Sequence, residues 1–321
     1  MARQLIRFNY FKPKLATDGE EDILWDMKPF IEFILANPKA FSGAVVLGDE
    51  ISDLEWNSCG FDESSNLYYI QLSKLRSKNI PSRKKINQDK ESLQLSDDEF
   101  LGEFNLLIFD PETNVLITQG NFYGLTTKQI SMSLSNLRLR FKDEIEESEE
   151  ENPSVIFLQP IIDKHAIARV KTNDIYRKVT IKGADYHELA NEELSSSTLS
   201  SAISALDQVN GVNFEITISM SRASKEESLS QEEVRNMVDD IIDLKEKSLD
   251  VSMNLTSRKN EENAIEYVDL LTPRLTSSIA VEVENRSTIA AEYIFQNFKS
   301  QNYFDPQINM RGVVRSILYQ S

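Results

Sequence analysis

The sequence predicts an α+β protein made of two mixed α+β domains joined by an acidic linker. The chain has 321 residues, which is enough for two ordinary domains, and 40% of them are hydrophobic, which is enough to build a core in each. Strand-like and helix-like runs are interspersed on both sides of an acidic run. The predicted boundaries are residues 1–142 for the N-terminal domain, 143–153 for the linker and 154–321 for the C-terminal domain with its helical tail.

The first domain is predicted to begin with a strand followed by a helix. Polar and apolar residues alternate over residues 3–11, and apolar residues recur at helical spacing over residues 24–35. The turn-forming sequence DPETN at 110–114 predicts a hairpin loop. Thr126 is placed to cap a helix that runs from residue 127 to about residue 141. Short strands are predicted at 43–47, 51–59, 67–74, 104–109 and 115–119.

The linker is predicted from its charge. Seven of the nine residues at 143–151 are acidic, and like charges repel along such a run, which keeps it solvated and extended. Two other interpretations remain open at this point: the frayed end of the preceding helix, and an acidic arm that docks on a basic partner.

The second domain is predicted to continue the same mixture of strands and helices. Ser230 and Glu233 have the spacing of a capping box, which predicts a helix to about residue 245. Further helices are predicted over 288–298 and 310–319, and the last one is expected to dock on the domain core. Strands are predicted near 154–162, 175–182, 212–220, 249–256, 266–271 and 278–283.

Charge and composition limit the classes of function. The net charge of −17 argues against attraction of the whole molecule to nucleic acid, and residues 143–321 carry most of it, with 18 Lys+Arg against 32 Asp+Glu. The chain has no apolar run long enough for a membrane span and no signal-peptide block, so we expect a soluble, cytoplasmic protein. A single cysteine, Cys59, and two histidines, His165 and His187, disfavour disulfide scaffolds and zinc modules.

Familiar catalytic motifs are absent from the sequence. There is no phosphate-binding loop, no G-x-G-x-x-G after a strand and no G-x-S-x-G elbow. We therefore predict no catalytic residue, no metal site and no cofactor. The sequence favours a protein without enzymatic activity. The alternative is a metal-dependent nuclease, in which Asp269, Glu282 and Glu284 on nearby strands would hold Mg²⁺.

The most distinctive segment is a basic loop predicted at residues 74–90, with seven cations and one acid. Each cation in such a loop can replace a counterion on a phosphate backbone, and without a recognition helix the binding would be independent of base sequence. Tyr68, Tyr69 and Tyr123 are candidate flanking aromatics, and the alternative is an exposed loop whose lysines only keep it soluble. The predicted nucleic-acid-binding residues are Lys74, Arg76, Lys78, Arg83, Lys84, Lys85, Lys90, Lys128, Arg138 and Arg140.

The order of several motifs resembles the RexA-like phage-exclusion family. The resemblance is carried by LSDDEFLG at 95–102, LLIFDPETNVLITQ at 106–119 and NFYGLTT at 121–127, and it continues with VIFLQPI at 155–161 and the strands at 214–220 and 249–256. The chain is also similar to an uncharacterised bacterial and phage family with an R-x-x-x-I-P-like segment, here 76–81, before a ddEflGe motif, here 97–103. A more distant resemblance is to the soluble DNA-binding component of Kiwa anti-phage systems.

The resemblance implies a function as well as a fold. It implies a two-domain homodimer that senses infection by binding DNA or a phage DNA–protein complex and that acts through a membrane-protein or effector partner. Combined with the basic loop, it leads us to expect a non-enzymatic, sequence-independent DNA-binding sensor of anti-phage defence, whose acidic second domain dimerises or docks a partner. The alternatives are the metal-dependent nuclease and a protein-binding assembly or inhibitor component.

Overall fold

The computed structural model divides the chain into two compact units. Unit 1 comprises residues 1–161 and 275–321, and unit 2 comprises residues 162–274. Both units combine helices with antiparallel strands, which confirms the predicted α+β class. The structure describes residues 2–16, 23–76, 78, 80–96, 99–147, 154–163, 165–184, 189, 192–207, 213–247, 249, 251–262, 265–270, 273–283 and 288–319.

The elements in chain order are as follows. The strands are β1 (Ala2–Leu15), β2 (Ile23–Leu24), β3 (Val45–Leu47), β4 (Glu50–Leu54), β5 (Gly60–Asp62), β6 (Leu67–Arg76), β7 (Ser82–Lys84), β8 (Lys90–Ser92), β9 (Leu101–Asp110), β10 (Val115–Gly120), β11 (Ile156–Pro160), β12 (Ile175–Ala184), β13 (Asn213–Ser219), β14 (Val251–Arg258), β15 (Glu266–Asp269) and β16 (Thr276–Val283). The described helices are α1 (Lys28–Ala36), α2 (Thr127–Glu144), α3 (Ala166–Lys171), α4 (Ser197–Asp207), α5 (Gln231–Glu246), α6 (Ala291–Phe298) and α7 (Met310–Tyr319). None of them is long and apolar enough to cross a membrane.

Unit 1 is organised around the long strand β1. Its main sheet has the order β11-β1-β10-β9-β6-β4-β3, with β16 and β2 also paired to β1 and β5 paired to β6. The pairing with β10 runs antiparallel from Arg7↔Gly120 to Phe11↔Leu116. Because successive side chains point to opposite faces of a sheet, the inner strands β1, β6, β9 and β10 each supply apolar residues to two cores.

Helices cover both faces of this sheet. Phe30 of α1 and Leu134 of α2 belong to one buried cluster with Phe109 of β9. Phe295 of α6 belongs to the other cluster with Phe8 of β1. The C-terminal helix α7 lies in the second cluster through Met310, Val314 and Ile317. The expectation that this helix docks on a core is met, but the core is that of unit 1.

The unit boundaries therefore differ from the predicted domains. Residues 154–161 and 275–321 belong to unit 1, whereas the sequence placed them in the second domain. The physical reason is strand pairing, because β11 and β16 both add to β1, with Phe11 opposite Pro160 and Ile6 opposite Ile279. Unit 2 is an insertion between these two strands. Of the acidic run, residues 143–147 lie at the end of α2 and its following turn, and 148–153 lie outside the described residues.

The division also changes the charge balance. Unit 1 holds 21 Lys+Arg and 31 Asp+Glu, which is a net charge of −10, and unit 2 holds 14 and 21, which is a net charge of −7. The acidity expected of a second domain is thus shared by both units. Any attraction of unit 1 to an anionic ligand has to come from a local arrangement of cations rather than from the charge of the unit.

Unit 2 contains a four-stranded antiparallel sheet, β13-β12-β14-β15, and the helices α3, α4 and α5. Its buried cluster joins Val179, Met253 and Leu255 of the sheet to Val238 of α5. The N-terminus of α5 confirms half of the predicted capping box, since Ser230 Oγ accepts from the backbone N–H of Glu233.

The side chain of Glu233 makes its hydrogen bonds to the start of α4 instead. The carboxylate of Glu233 accepts from the backbone N–H of Thr198, at 2.7 Å, and from the hydroxyl of Ser196, also at 2.7 Å. Hydrogen bonds from these donors lower the pKa of Glu233. An acceptor at the start of α4 satisfies backbone N–H groups that a helix leaves unpaired. Glu233 thus ties the N-termini of α4 and α5 together.

Candidate nucleic-acid interface

The basic segment forms a short hairpin where the sequence predicted a loop. Strands β7 and β8 pair Arg83 with Glu91 and Lys84 with Lys90. Arg83 Nε and Nη2 each lie 2.8 Å from Glu91 Oε2. Because directly opposed residues share a face and neighbouring residues alternate, the Arg83–Glu91 ion pair occupies one face of the hairpin and the two lysines occupy the other.

The lysine face of the hairpin carries cations that form no ion pair with a described residue. Lys84, Lys85 and Lys90 are exposed. Like charges directly opposite each other on two strands destabilise the pairing. An anion held between Lys84 and Lys90 would reduce that repulsion.

A cleft of about 360 Å³ lies at the end of β6, the strand that leads toward the hairpin. Lys74 Nζ lies 2.8 Å from Glu50 Oε1, and Lys78 Nζ lies 3.2 Å from Asp49 Oδ2. The hydrogen bond from Lys74 is the main reason why the pKa of Glu50 is lowered. The cleft is lined by Asp49, Glu50, Lys74, Arg76, Lys78, Phe122 and Tyr123.

Arg76 also lines this cleft and forms no ion pair with a described residue, although its charge helps to lower the pKa of Glu50. Its side chain is half-buried, and its Nε is enclosed without a hydrogen-bond acceptor among the residues that the structure describes. A guanidinium presents several N–H donors in a fixed plane and binds phosphate or carboxylate oxygens through them. Arg76 is therefore ready to bind an anion that enters the cleft.

Two aromatic side chains stand beside Arg76 on the loop between β10 and α2. Phe122 is 93% exposed and Tyr123 is 58% exposed, and their rings meet edge to face with centroids 5.1 Å apart. Of the predicted flanking aromatics, only Tyr123 lines the cleft. The hydroxyl of Tyr68 donates to Glu32 at 2.7 Å, and the ring of Tyr69 packs on Phe295.

Phe122 is a residue that sequence reasoning missed. An isolated Phe is usually assigned to a core, and its exposure becomes visible only in the structure. A weak signal was present, because two aromatics lie between Asn121 and Gly124 directly before the helix cap Thr126, in a stretch that forms neither strand nor helix. The cap itself is confirmed, since Thr126 Oγ1 accepts from the backbone N–H of Gln129 and α2 begins at the next residue.

Two predicted binding residues are removed from the candidate surface by the packing of α2. Arg138 is only 4% exposed and donates to the carbonyl of Ser154. Arg140 Nη1 donates to the carbonyl oxygens of Ser42 and, at 2.7 Å, Ala44. Both arginines make hydrogen bonds within unit 1. Lys128 remains exposed in the first turn of the helix.

The residues considered for metal or covalent chemistry lie in different parts of the chain. Asp269 lies in unit 2, Glu282 lies in unit 1, and Glu284 lies outside the described residues. Among the described part of the chain, no group of three or more His, Cys, Asp or Glu is arranged to hold a metal ion. Burial raises the pKa of Cys59 to about 11, so this thiol stays protonated at neutral pH. His165 is exposed before α3, and His187 lies outside the described residues.

Comparison with protein families places the chain. The sequence profile of a family of unknown function, DUF6731, matches residues 1–311 and thus nearly the whole chain. No curated protein matches the sequence of this chain.

Proposed function

The chain belongs to DUF6731, a family of unknown function, and we propose from its own residues that it is a non-enzymatic protein that binds DNA through unit 1 without reading base sequence. The observation that carries this proposal is the lysine face of the β7–β8 hairpin, where Lys84 and Lys90 oppose each other and neither forms an ion pair with a described residue. A phosphate group is the anion that every nucleotide of a DNA strand supplies.

Local charge can overcome the net charge of unit 1 at contact distance. Ionic interactions between exposed groups are screened over about 8 Å at physiological ionic strength, so distant carboxylates contribute little at the hairpin. Within that distance the hairpin holds the exposed cations Arg83, Lys84, Lys85 and Lys90 against two acids, Asp89 and Glu91, and Glu91 is already paired with Arg83. The expected affinity is modest and strongly dependent on salt, since each neutralised phosphate releases a condensed counterion.

We extend the proposal to a role in anti-phage defence, on the resemblance to the RexA-like phage-exclusion family. In this proposal the protein is a cytoplasmic homodimer that binds phage DNA or a phage DNA–protein complex. It then acts through a membrane-protein or effector partner. Unit 2, which carries its own core and polar surface, is the part assigned to dimerisation or partner docking.

A salt series on purified protein tests the DNA-binding part of the proposal. We expect fluorescence anisotropy with a labelled duplex to show binding at low salt, and the double variant Lys84→Glu/Lys90→Glu to lose most of it and to reduce the log–log salt slope by about 2. The matched control is Lys225→Glu/Lys259→Glu, which makes the same charge change at exposed lysines of unit 2. The control should bind like the wild type.

Three results would contradict this proposal. Absence of binding at low salt, both to the duplex and to a single strand of the same length, would refute it outright, and equal losses in the two double variants would show that only net charge matters. Cleavage of the duplex in the presence of Mg²⁺ would favour the metal-dependent nuclease instead.

A further inference from the structure

We propose that Phe122 and Tyr123 stack on unpaired bases, so that a single strand is the nucleic acid that unit 1 prefers. The inference rests on the proposed DNA binding and adds the strand state of the ligand and the residues that select it. It starts from two rings that are exposed beside Arg76, a cation whose Nε has no hydrogen-bond acceptor among the described residues.

The exposure of these rings is fixed by the loop that carries them. Asn121 Oδ1 accepts from the backbone N–H of Tyr123 at 3.2 Å, and its Nδ2 donates to the carbonyl of Phe104 at 3.0 Å. Asn105 Oδ1 accepts from the backbone N–H of Leu125 at 2.6 Å. The loop is thus fastened on both sides of Phe122 and Tyr123. A rigid loop presents its rings without an ordering cost when a ligand binds.

Gly124 shows how closely the loop approaches the sheet. A Cβ at this position would collide with the side-chain amide of Asn105, the same group that holds Leu125. Only glycine permits this approach of the backbone. The close contact keeps the aromatic loop in one position beside the cleft.

The two rings stand between two clefts of different chemistry. On one side is the cationic cleft with Arg76 and Lys78. On the other side is a cleft of about 580 Å³ that shares both rings and is also lined by Phe104, Gln4 and Gln119. Side-chain amides both donate and accept hydrogen bonds, as base edges do, whereas guanidinium and ammonium groups bind phosphate.

A nucleotide of a single strand has a group to match each of the three features of this surface. Its base has a flat face for the rings, its edge has donors and acceptors for amides, and its phosphate pairs with Arg76 or Lys78. In a duplex the base faces are covered by their neighbours, so stacking on the two rings is lost. Unit 1 should therefore bind a single strand more tightly than a duplex of the same length.

Abasic DNA separates stacking from phosphate contacts on the wild-type protein. The probes are a labelled oligo(dT) of about 12 nucleotides, within the span of one stacking groove, an abasic strand of equal length, a duplex and oligo(U). We expect wild-type protein to bind oligo(dT) about 5- to 150-fold more tightly than the abasic strand, the range that corresponds to about 1–3 kcal/mol for one stacked base. Oligo(U) reports whether the same site accepts RNA.

Variants then assign the effect to the two rings. Phe122→Ala/Tyr123→Ala should bind oligo(dT) and the abasic strand equally, with an unchanged melting temperature because both side chains are exposed. The matched control, Phe122→Tyr/Tyr123→Phe, keeps both rings and should keep the difference between the two probes.

The outcomes distinguish this inference from the proposed function. Equal binding of the abasic strand and oligo(dT) by wild-type protein refutes stacking, and salt-dependent binding that requires Lys84 and Lys90 would still uphold DNA binding. A difference between the probes that survives Phe122→Ala/Tyr123→Ala refutes the assignment to these rings. If none of the probes binds at low salt, both proposals fail.

Discussion

The stability of unit 1 should depend strongly on one buried carboxylate, Asp110, at the end of β9. Its side chain is fully buried and accepts from the hydroxyl of Tyr303 at 2.7 Å and from Arg311 Nε and Nη2 at 3.0 and 3.2 Å. The backbone N–H of Glu112 adds a further hydrogen bond at 3.0 Å. Because Arg311 belongs to α7, this carboxylate connects the C-terminal helix to the central sheet.

The perturbation is Asp110→Asn, which removes the charge and places either an amide oxygen or an amide N–H opposite Arg311. Breaking a buried ion pair by removing one partner costs about 3–5 kcal/mol, because the remaining charge is left buried. Arg311 is 14% exposed and keeps an ion pair with Glu112 at 2.5 Å, so we expect the lower end, about 3 kcal/mol. Arg311→Met in the Asp110→Asn background should recover part of this loss, since no unpaired charge then remains.

Urea unfolding followed by tryptophan fluorescence measures this effect in unit 1 alone. The chain has two tryptophans, Trp25 and Trp56, and both lie in unit 1. The matched control is Arg315→Ala in the same network, since Arg315 pairs with Glu112 on the surface and an exposed pair contributes at most about 1 kcal/mol. If Asp110→Asn costs no more than Arg315→Ala, or if Arg311→Met deepens the loss, the explanation by a buried unpaired charge is wrong.

Two further predictions concern acid stability and the aromatic loop. Burial alone would raise the pKa of Asp62, but hydrogen bonds from Lys299 and two serines outweigh it and hold the pKa at about 2, below the ordinary 3.8. The stabilisation of unit 1 by this contact is therefore complete above about pH 4 and is lost as the pH falls through about 2. The loss of unfolding free energy caused by Asp62→Asn, measured by urea unfolding, should shrink over that interval. A loss that stays constant with pH would refute this dependence on the ionisation of Asp62. Gly124→Ala should displace Asn105 and lower both the stability, by about 1–3 kcal/mol, and the preference for oligo(dT). Gly120→Ala, whose Cβ would meet its nearest atom at 3.5 Å, is the control for stability and should leave it unchanged.

Local features of the fold could be predicted from the sequence because their causes are local. The hairpin loop at 110–114 and the cap Thr126 both act within a few residues, and the structure has β9 and β10 paired and α2 beginning at the predicted position. Helix α4 was missed, since its serine-rich sequence has low helix propensity and its start depends on Glu233 from another helix.

Strand partners could not be predicted in the same way. Alternation shows which side chains of β1 share a face, but it does not show that β16 is the neighbour of its first half. The acidic run therefore predicts a domain boundary at 143–153, whereas β11, which follows this run, pairs with β1 of the same sheet.

The candidate site was predictable as a region and not residue by residue. The run of cations at 74–90 is visible in the sequence, but charge alone does not show that Lys74 is paired with Glu50 or that Arg138 is buried. These outcomes depend on residues brought near by the sheet. The same holds for Phe122, whose exposure follows from hydrogen bonds made by Asn105 and Asn121 and not from its own chemistry.

The insertion of unit 2 into unit 1 leads to a last prediction about which part folds alone. The backbone N–H of Leu275 donates to the carbonyl of Ile161 at 2.8 Å, so the two ends of unit 1 at the insertion are adjacent. Replacing residues 162–274 by a short Gly-Ser linker should leave a chain that unfolds cooperatively in urea, because loop closure over so short a gap costs little. This chain should still bind DNA, because the proposed binding residues all lie in unit 1.

The matched control is residues 1–161 alone, which lacks β16, α6 and α7 and leaves one apolar face of the sheet uncovered. We expect this control to aggregate or to lack a cooperative transition. If it folds as well as the joined chain, the C-terminal segment is dispensable to the core of unit 1. If the joined chain fails to fold, unit 1 depends on the inserted residues, and the division of the chain at the strand pairs of β1 is not the division that governs its folding.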